Sequence, residues 1–171
     1  MYKYVLLTLG FVLTFSDVAF AQPNVTFDSP FLVHAASALK KRDVINITNA
    51  GARGMNGDIC ANVYVFEPGG QMLECCSCVV PPNALRSLSI ASDLLEGRKA
   101  IPKAMVFKIL ASTPVSGSCN GSTPGALTSG LVAWKGEVAF TPAILSAGEL
   151  SGLMSRCGFL HGMANICPIC R

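Results

Sequence analysis

The chain has 171 residues, 51% of them hydrophobic, with eight cysteines and a formal net charge of +3. That length fits one ordinary domain with its own core. The mild charge argues against a nucleic-acid binder, which would want a broad basic face with stacking aromatics. The only basic run, Lys40-Lys41-Arg42, stands beside Asp43 and reads as a solvated segment ahead of a strand.

In chain order the first expectation is a secretory signal over residues 1–21. Lys3 supplies a positive start, residues 5–15 an apolar stretch and Ala19-Phe20-Ala21 a small-x-small cleavage site. The apolar stretch is shorter than the roughly 20 residues a membrane span needs. Cleavage after Ala21 leaves roughly 150 residues, with no membrane span expected in them. Residues 22–43 read as an irregular leader. Residues 44–142 carry the alternation and punctuation of a β-sandwich, and residues 143–171 read as a helix and a cysteine-rich tail packed on it.

The first predicted strand is "DVINITNAG", with Ile45 and Ile47 on one face. A glycine-rich loop follows. "DICANVYVFEPGGQMLECCSCVV" then alternates on both sides of Pro68-Gly69-Gly70, the signature of a β-hairpin with a three-residue loop. Uninterrupted pairing from that loop sets Val63 opposite Cys75, Tyr64 opposite Glu74 and Cys60 opposite Cys78. A two-residue slip would bring Cys60 to Cys76 instead. Cys60 is therefore expected to bond Cys78 or Cys76, since opposed Cα atoms lie near disulfide distance. Cys75, pointing to the core face, must find a distant partner.

Pro81-Pro82 ends that strand. "ALRSLSIASDLL" returns as another, closing in a short turn, and "KAMVFKILAST" has the apolar content of a central strand. "PVSGSCNGSTPGALTSG" is a long surface loop that Cys119 is placed to pin. "LVAWKGEVAF" alternates again and nominates Trp134 as a core anchor. Ser146 three residues before Glu149 reads as a capping box, with Leu145 and Leu150 as its staple. Leu150, Leu153, Met154 and Cys157 share a helical face, so Cys157 can tie helix to sheet, and Gly158 is the expected stop. The fold class is thus mainly β: an antiparallel β-sandwich of the immunoglobulin-like type with a short C-terminal helix, stapled by disulfides.

An even cysteine count in an exported chain reads first as a disulfide framework, with Cys60, Cys75, Cys76, Cys78, Cys119, Cys157, Cys167 and Cys170 all as candidates. Two other chemistries compete for the same thiols. Cys75-x-x-Cys78 with Cys167-x-x-Cys170 has the makings of a zinc set, but the pairs lie far apart in sequence. On an extended strand Cys75 and Cys78 also face opposite ways. Cys167-Pro-Ile-Cys170 has the look of a thiol–disulfide oxidoreductase motif, yet the chain ends one residue later. No following helix remains to stabilise a thiolate.

Hydrolysis has little to draw on. The two histidines, His34 and His161, fall in the leader and the tail, and no nucleophile-elbow motif is present. His161 reads as a surface residue. No catalytic constellation, cofactor motif or metal set stands out. Three glycosylation sequons begin at Asn24, Asn46 and Asn120.

The run "ICANVYVFEPGGQMLECCSCVVPPNAL", with the terminal "CGFL" and "ICPIC", resembles uncharacterised small secreted bacterial cysteine-rich proteins. The likeness covers most of residues 44–171. It implies a bacterial exported chain and assigns no activity. The expected function is a secreted, disulfide-stabilised, non-catalytic structural or binding domain, with an extracellular protein or polymer as partner.

Overall fold

The computed structural model describes residues 29–51, 57–96, 98 and 100–161. The expected signal peptide, Cys167, Cys170 and the Cys-Pro-Ile-Cys motif lie outside these residues. Among the described residues nine strands form two antiparallel sheets: β1 (Phe31–Ser37), β2 (Val44–Asn49), β3 (Ile59–Phe66), β4 (Met72–Val80), β5 (Leu85–Ser89), β6 (Ala104–Ser112), β7 (Leu131–Lys135), β8 (Val138–Ala139) and β9 (Thr141–Pro142). The first sheet has the order β4-β3-β6-β1-β9, the second β5-β2-β7-β8. One helix among the described residues, α1 (Ala147–Leu160), follows them. The expected mainly β sandwich with a C-terminal helix is therefore what the chain forms.

Two apolar layers hold it together. Between the sheets, Ile45 and Ile47 of β2 meet Ile59, Val63 and Val65 of β3 and Phe107 and Ile109 of β6. Each of these is fully buried and contributes about 1.5–3 kcal/mol relative to an exposed side chain. The second layer lies on the outer face of the five-stranded sheet, where Phe31, Tyr64, Phe66, Met72, Cys75 and Leu110 pack beneath Leu153 and Cys157 of α1. Every residue of β3 is buried as a result, because this strand has apolar cover on both faces.

Local chemistry accounts for most of the elements. In the hairpin loop Gly70 takes the left-handed conformation (φ 87°) that the three-residue turn requires, and its N–H donates to the Glu67 carbonyl. A π-helical turn, Ile90–Leu94, follows β5 and buries Ile90 and Leu94. Ser146 caps α1 by accepting the Glu149 N–H at 3.0 Å, as expected. The Glu149 carboxylate, however, pairs with Lys108 of β6. Leu145 and Leu150 both pack on the outer apolar layer.

Four expectations need correction. Residues 31–37 are no irregular leader but β1, antiparallel to β6 along its whole length. The two-residue alternation of the strand carries Leu32 and Ala36 into the inter-sheet core. Trp134 is not a core anchor. Leu131 and Ala133 take the inward positions of β7, which leaves Val132 and Trp134 half-buried on the outside of the four-stranded sheet. Gly158 does not stop α1, which runs two residues further. A glycine costs a helix only about 1 kcal/mol, and the tertiary contacts of this last turn outweigh it. The fourth correction, to the hairpin register, decides the site.

Candidate functional site

The hairpin starts in the expected register, with Phe66 opposite Met72, and then shifts by one residue at a β-bulge. Beyond it Val65 faces Glu74, Tyr64 faces Cys75, Val63 faces Cys76 and Ala61 faces Cys78. An extra residue on one strand swaps the face of everything after it. Cys76 and Cys78 therefore enter the inter-sheet core, while Cys75 turns to the outer face. The swap puts apolar Leu73, Cys76, Cys78 and Val80 inside and leaves Glu74 half-exposed. This is the arrangement that burial favours. Cys75 and Cys78 do face opposite ways, so they cannot hold one ion together.

Cys60 consequently bonds neither Cys76 nor Cys78. It bonds Cys119, across 59 residues, at a Cα–Cα distance of 5.4 Å. That bridge pins the long loop after β6 to the outer face of β3, as the position of Cys119 suggested. Tyr64 reinforces it by donating its hydroxyl to the Gly121 carbonyl at 2.8 Å. Beneath the loop Asn62 is fully buried and fully engaged. Its Nδ2 donates to the Leu110 carbonyl and to Ser112 Oγ, both at 3.0 Å, and its Oδ1 accepts from Ser77 Oγ at 2.8 Å.

Cys75 bonds Cys157 across 82 residues, at a Cα–Cα distance of 5.7 Å, and so ties β4 to α1. The distant partner expected for Cys75 and the helix–sheet tie expected of Cys157 are the same bond. Cys76 is also disulfide-bonded. Cys78 is a free thiol, against the expectation that every cysteine is a bridge candidate. Burial pushes its pKa up to about 11, so it is protonated at neutral pH and is the reverse of an activated nucleophile.

β4 is an edge strand, and such edges invite pairing with another chain. Side chains occupy its outward carbonyls. Arg98 Nη2 donates to Leu73 O at 2.7 Å, His161 Nε2 lies 3.0 Å from Cys75 O, and Arg86 Nε donates to Val79 O at 3.3 Å. His161 Nε2 also lies 3.0 Å from Glu74 Oε1. Both neighbours are acceptors, so Nε2 carries the proton. His161 is thus half-buried rather than free on the surface: it caps α1 and locks the helix end onto β4.

The same cluster contains the one grouping of potential metal ligands found among the described residues. Donor atoms of Cys75, Cys157 and His161 all lie within 4.8 Å of one another. Sequence reasoning missed it because it placed His161 in the tail as a surface residue. The available signal was the four-residue spacing from Cys157 to His161 on one helix face, together with Glu74 next to Cys75.

Elsewhere the remaining candidates separate. His34 stacks on Phe140, ring centroids 4.7 Å apart, at the seam between the sheets. Burial first, and Lys135 second, hold its pKa below the ordinary 6.5. Lys40, Lys41 and Arg42 are exposed in the turn from β1 to β2. An apolar cleft of about 90 Å³ opens beside Leu32, Leu131, Ala133 and Phe140. No described helix is long and apolar enough to cross a membrane.

Comparison of the chain with protein-family models, with curated proteins and with solved structures returns no match. The functional reading therefore rests on the molecule's own geometry.

Proposed function

We propose that the chain is an exported bacterial β-sandwich, braced by disulfides, that acts outside the cytoplasm as a non-catalytic structural or binding domain. One observation carries this reading. Both bridges between described cysteines run from the five-stranded sheet to the segment covering it, the loop in one case and α1 in the other. The sulfur is spent on holding cover in place, and such bonds form and persist in oxidising compartments. The buried, protonated Cys78 thiol supports the same conclusion. An immunoglobulin-like topology is supported by the way β2 and β5 pair in one sheet while the intervening β3–β4 hairpin belongs to the other.

The partner we favour is an extracellular protein or polymer. Among the described residues, no loop or helix packs as an apolar layer on the outer face of the four-stranded sheet. It presents Thr48, Asn46, Ser87, Val132 and Trp134, none of them charged.

Thiol mapping on protein recovered from the exported fraction tests the reading. Peptide mass analysis is expected to find Cys60 linked to Cys119 and Cys75 linked to Cys157. Cys78 should take up an alkylating reagent only after unfolding. A native protein whose Cys60, Cys75, Cys119 and Cys157 are all alkylated overturns the proposal, as does catalytic turnover of a disulfide substrate by the folded chain.

A further inference from the structure

The cluster at the junction of β4 and α1 has more ligating chemistry than a structural bridge uses. A disulfide needs two cysteines and a way to bring them together. Here the pair is joined by an imidazole whose donor atom lies within 4.8 Å of both sulfurs, and by a carboxylate 3.0 Å from that imidazole. Cys157 lies in α1 and His161, four residues on, caps it, while Cys75 and its neighbour Glu74 occupy adjacent positions of β4. The sulfurs are buried, whereas the side chains of His161 and Glu74 are 17% and 29% exposed and open the cluster to solvent on one side.

We propose that the reduced form of this cluster is a binding site for a borderline-soft divalent cation of the zinc class, with Cys75, Cys157 and His161 as ligands and Glu74 beside the fourth position. Thiolate sulfur and imidazole nitrogen are the donor set such an ion prefers, and a tetrahedral site needs four positions at about 2.0–2.3 Å from the metal. The sulfurs of a zinc site stand further apart than those of a disulfide. The two states therefore exclude each other, and oxidation expels the ion.

The balance is simple. A dithiol reductant supplies two electrons and two protons and itself closes to a disulfide. The Cys75–Cys157 bond breaks into two thiols. Uptake of the cation releases both thiol protons, and the neutral imidazole moves its proton from Nε2 to Nδ1, giving up its contact with the Cys75 carbonyl and contributing the freed Nε2 lone pair. The site goes beyond the structural role proposed above, since that role concerns the oxidised chain and this one the reduced chain.

Cobalt(II) is a suitable probe, because tetrahedral thiolate ligation gives it sulfur-to-metal charge-transfer bands that open solvation does not. The full chain, purified under a dithiol reductant and shown by circular dichroism to be folded or not, is titrated with cobalt and the ion then displaced by zinc. One ion per chain with charge-transfer absorption is expected, along with none in the oxidised protein. His161→Ala should weaken binding about tenfold or more, Cys157→Ser should abolish the charge-transfer signal from this site, and His34→Ala should leave both unchanged. Equal affinity in wild type and His161→Ala overturns the proposal, because thiols elsewhere then hold the ion. A reduced chain that takes up no cobalt, folded or unfolded, also overturns it.

Discussion

Asn62 is a carboxamide with no access to solvent, and it survives there because every partner it needs is within reach. Ser77 gives it a proton, and Ser112 and the Leu110 carbonyl take protons from it. These partners come from the two strands that flank β3, so the amide stitches β4, β3 and β6 together across the outer face of the sheet. Removing it leaves two hydroxyls and a carbonyl without their partner in a place water does not reach. Asn62→Ala is expected to cost about 3 kcal/mol, the penalty for orphaned buried polar groups plus the lost bonds. Ser77→Ala, which removes a single donor, should cost about 1 kcal/mol. Urea denaturation followed by tryptophan fluorescence reads both. Equal losses in the two variants would show that the amide is not the hub.

At the scale of elements, the two bridges tie down cover that otherwise rests on side-chain packing and scattered polar contacts. Besides its disulfide, the loop from Thr113 to Gly130 has isolated bridges between Val115 and Ser118 and between Leu127 and Ser112, a few backbone hydrogen bonds and the Tyr64 hydroxyl on the Gly121 carbonyl. Cys60–Cys119 closes a long stretch of chain, and the loop-entropy argument assigns such a closure about 4 kcal/mol. The double variant Cys60→Ala/Cys119→Ala should accordingly lose about 2–4 kcal/mol. Amide exchange in residues 113–130 should rise while that of β2 stays protected. Uniform loss of protection across both sheets would contradict a local tie.

How far the sequence discloses these elements depends on the range of the force that sets them. Alternation along "ICANVYVF" is local, and it places Ile59, Ala61, Val63 and Val65 inward as found. The capping serine and the apolar face of α1 are local too. The bulge is not. It exists because Leu73 and Cys76 both do better inside and Glu74 does better outside, a choice that needs the opposing sheet to be present. Counting residues back from the turn cannot reveal it, and the error transfers Cys75 to the wrong face and gives Cys60 the wrong partner. His161 fails for the same reason, because its acceptors belong to a strand 86 residues away. Trp134 fails because a large aromatic ring suggests a core position, whereas Leu131 and Ala133 fill the space actually available.

Across the whole molecule, three layers share one sheet: the four-stranded sheet on its inner side, and the loop and α1 on its outer side. The outer side is closed by covalent bonds. The inner side is closed by apolar contact, helped by hydrogen bonds from Asn49 Nδ2 to the Val80 carbonyl and from Arg86 to the Val79 carbonyl, and at its seam stands His34, stacked on Phe140 with Lys135 nearby. Burial and that neighbouring cation both disfavour the imidazolium, so the folded protein holds His34 neutral below its ordinary pKa of 6.5. The sign follows from linkage. Above 6.5 the imidazole is neutral in both the folded and the unfolded chain and contributes no pH dependence. As pH falls through 6.5 the unfolded chain takes up the proton first, and folding stability declines until the folded imidazole is protonated as well. Denaturant midpoints at about pH 7.5 and about pH 5.5 should therefore differ more in the wild type than in His34→Gln, which stacks without titrating. Asp43 offers an internal control of opposite origin. A hydrogen bond from the Lys40 N–H and then the Lys135 ion pair hold its pKa below the usual carboxylate value. Its contribution therefore fades only at lower pH, as pH falls through that depressed value. A wild-type slope between those two pH values that His34→Gln leaves intact would mean that the seam tolerates charge, and that acid acts on the sandwich at some other point.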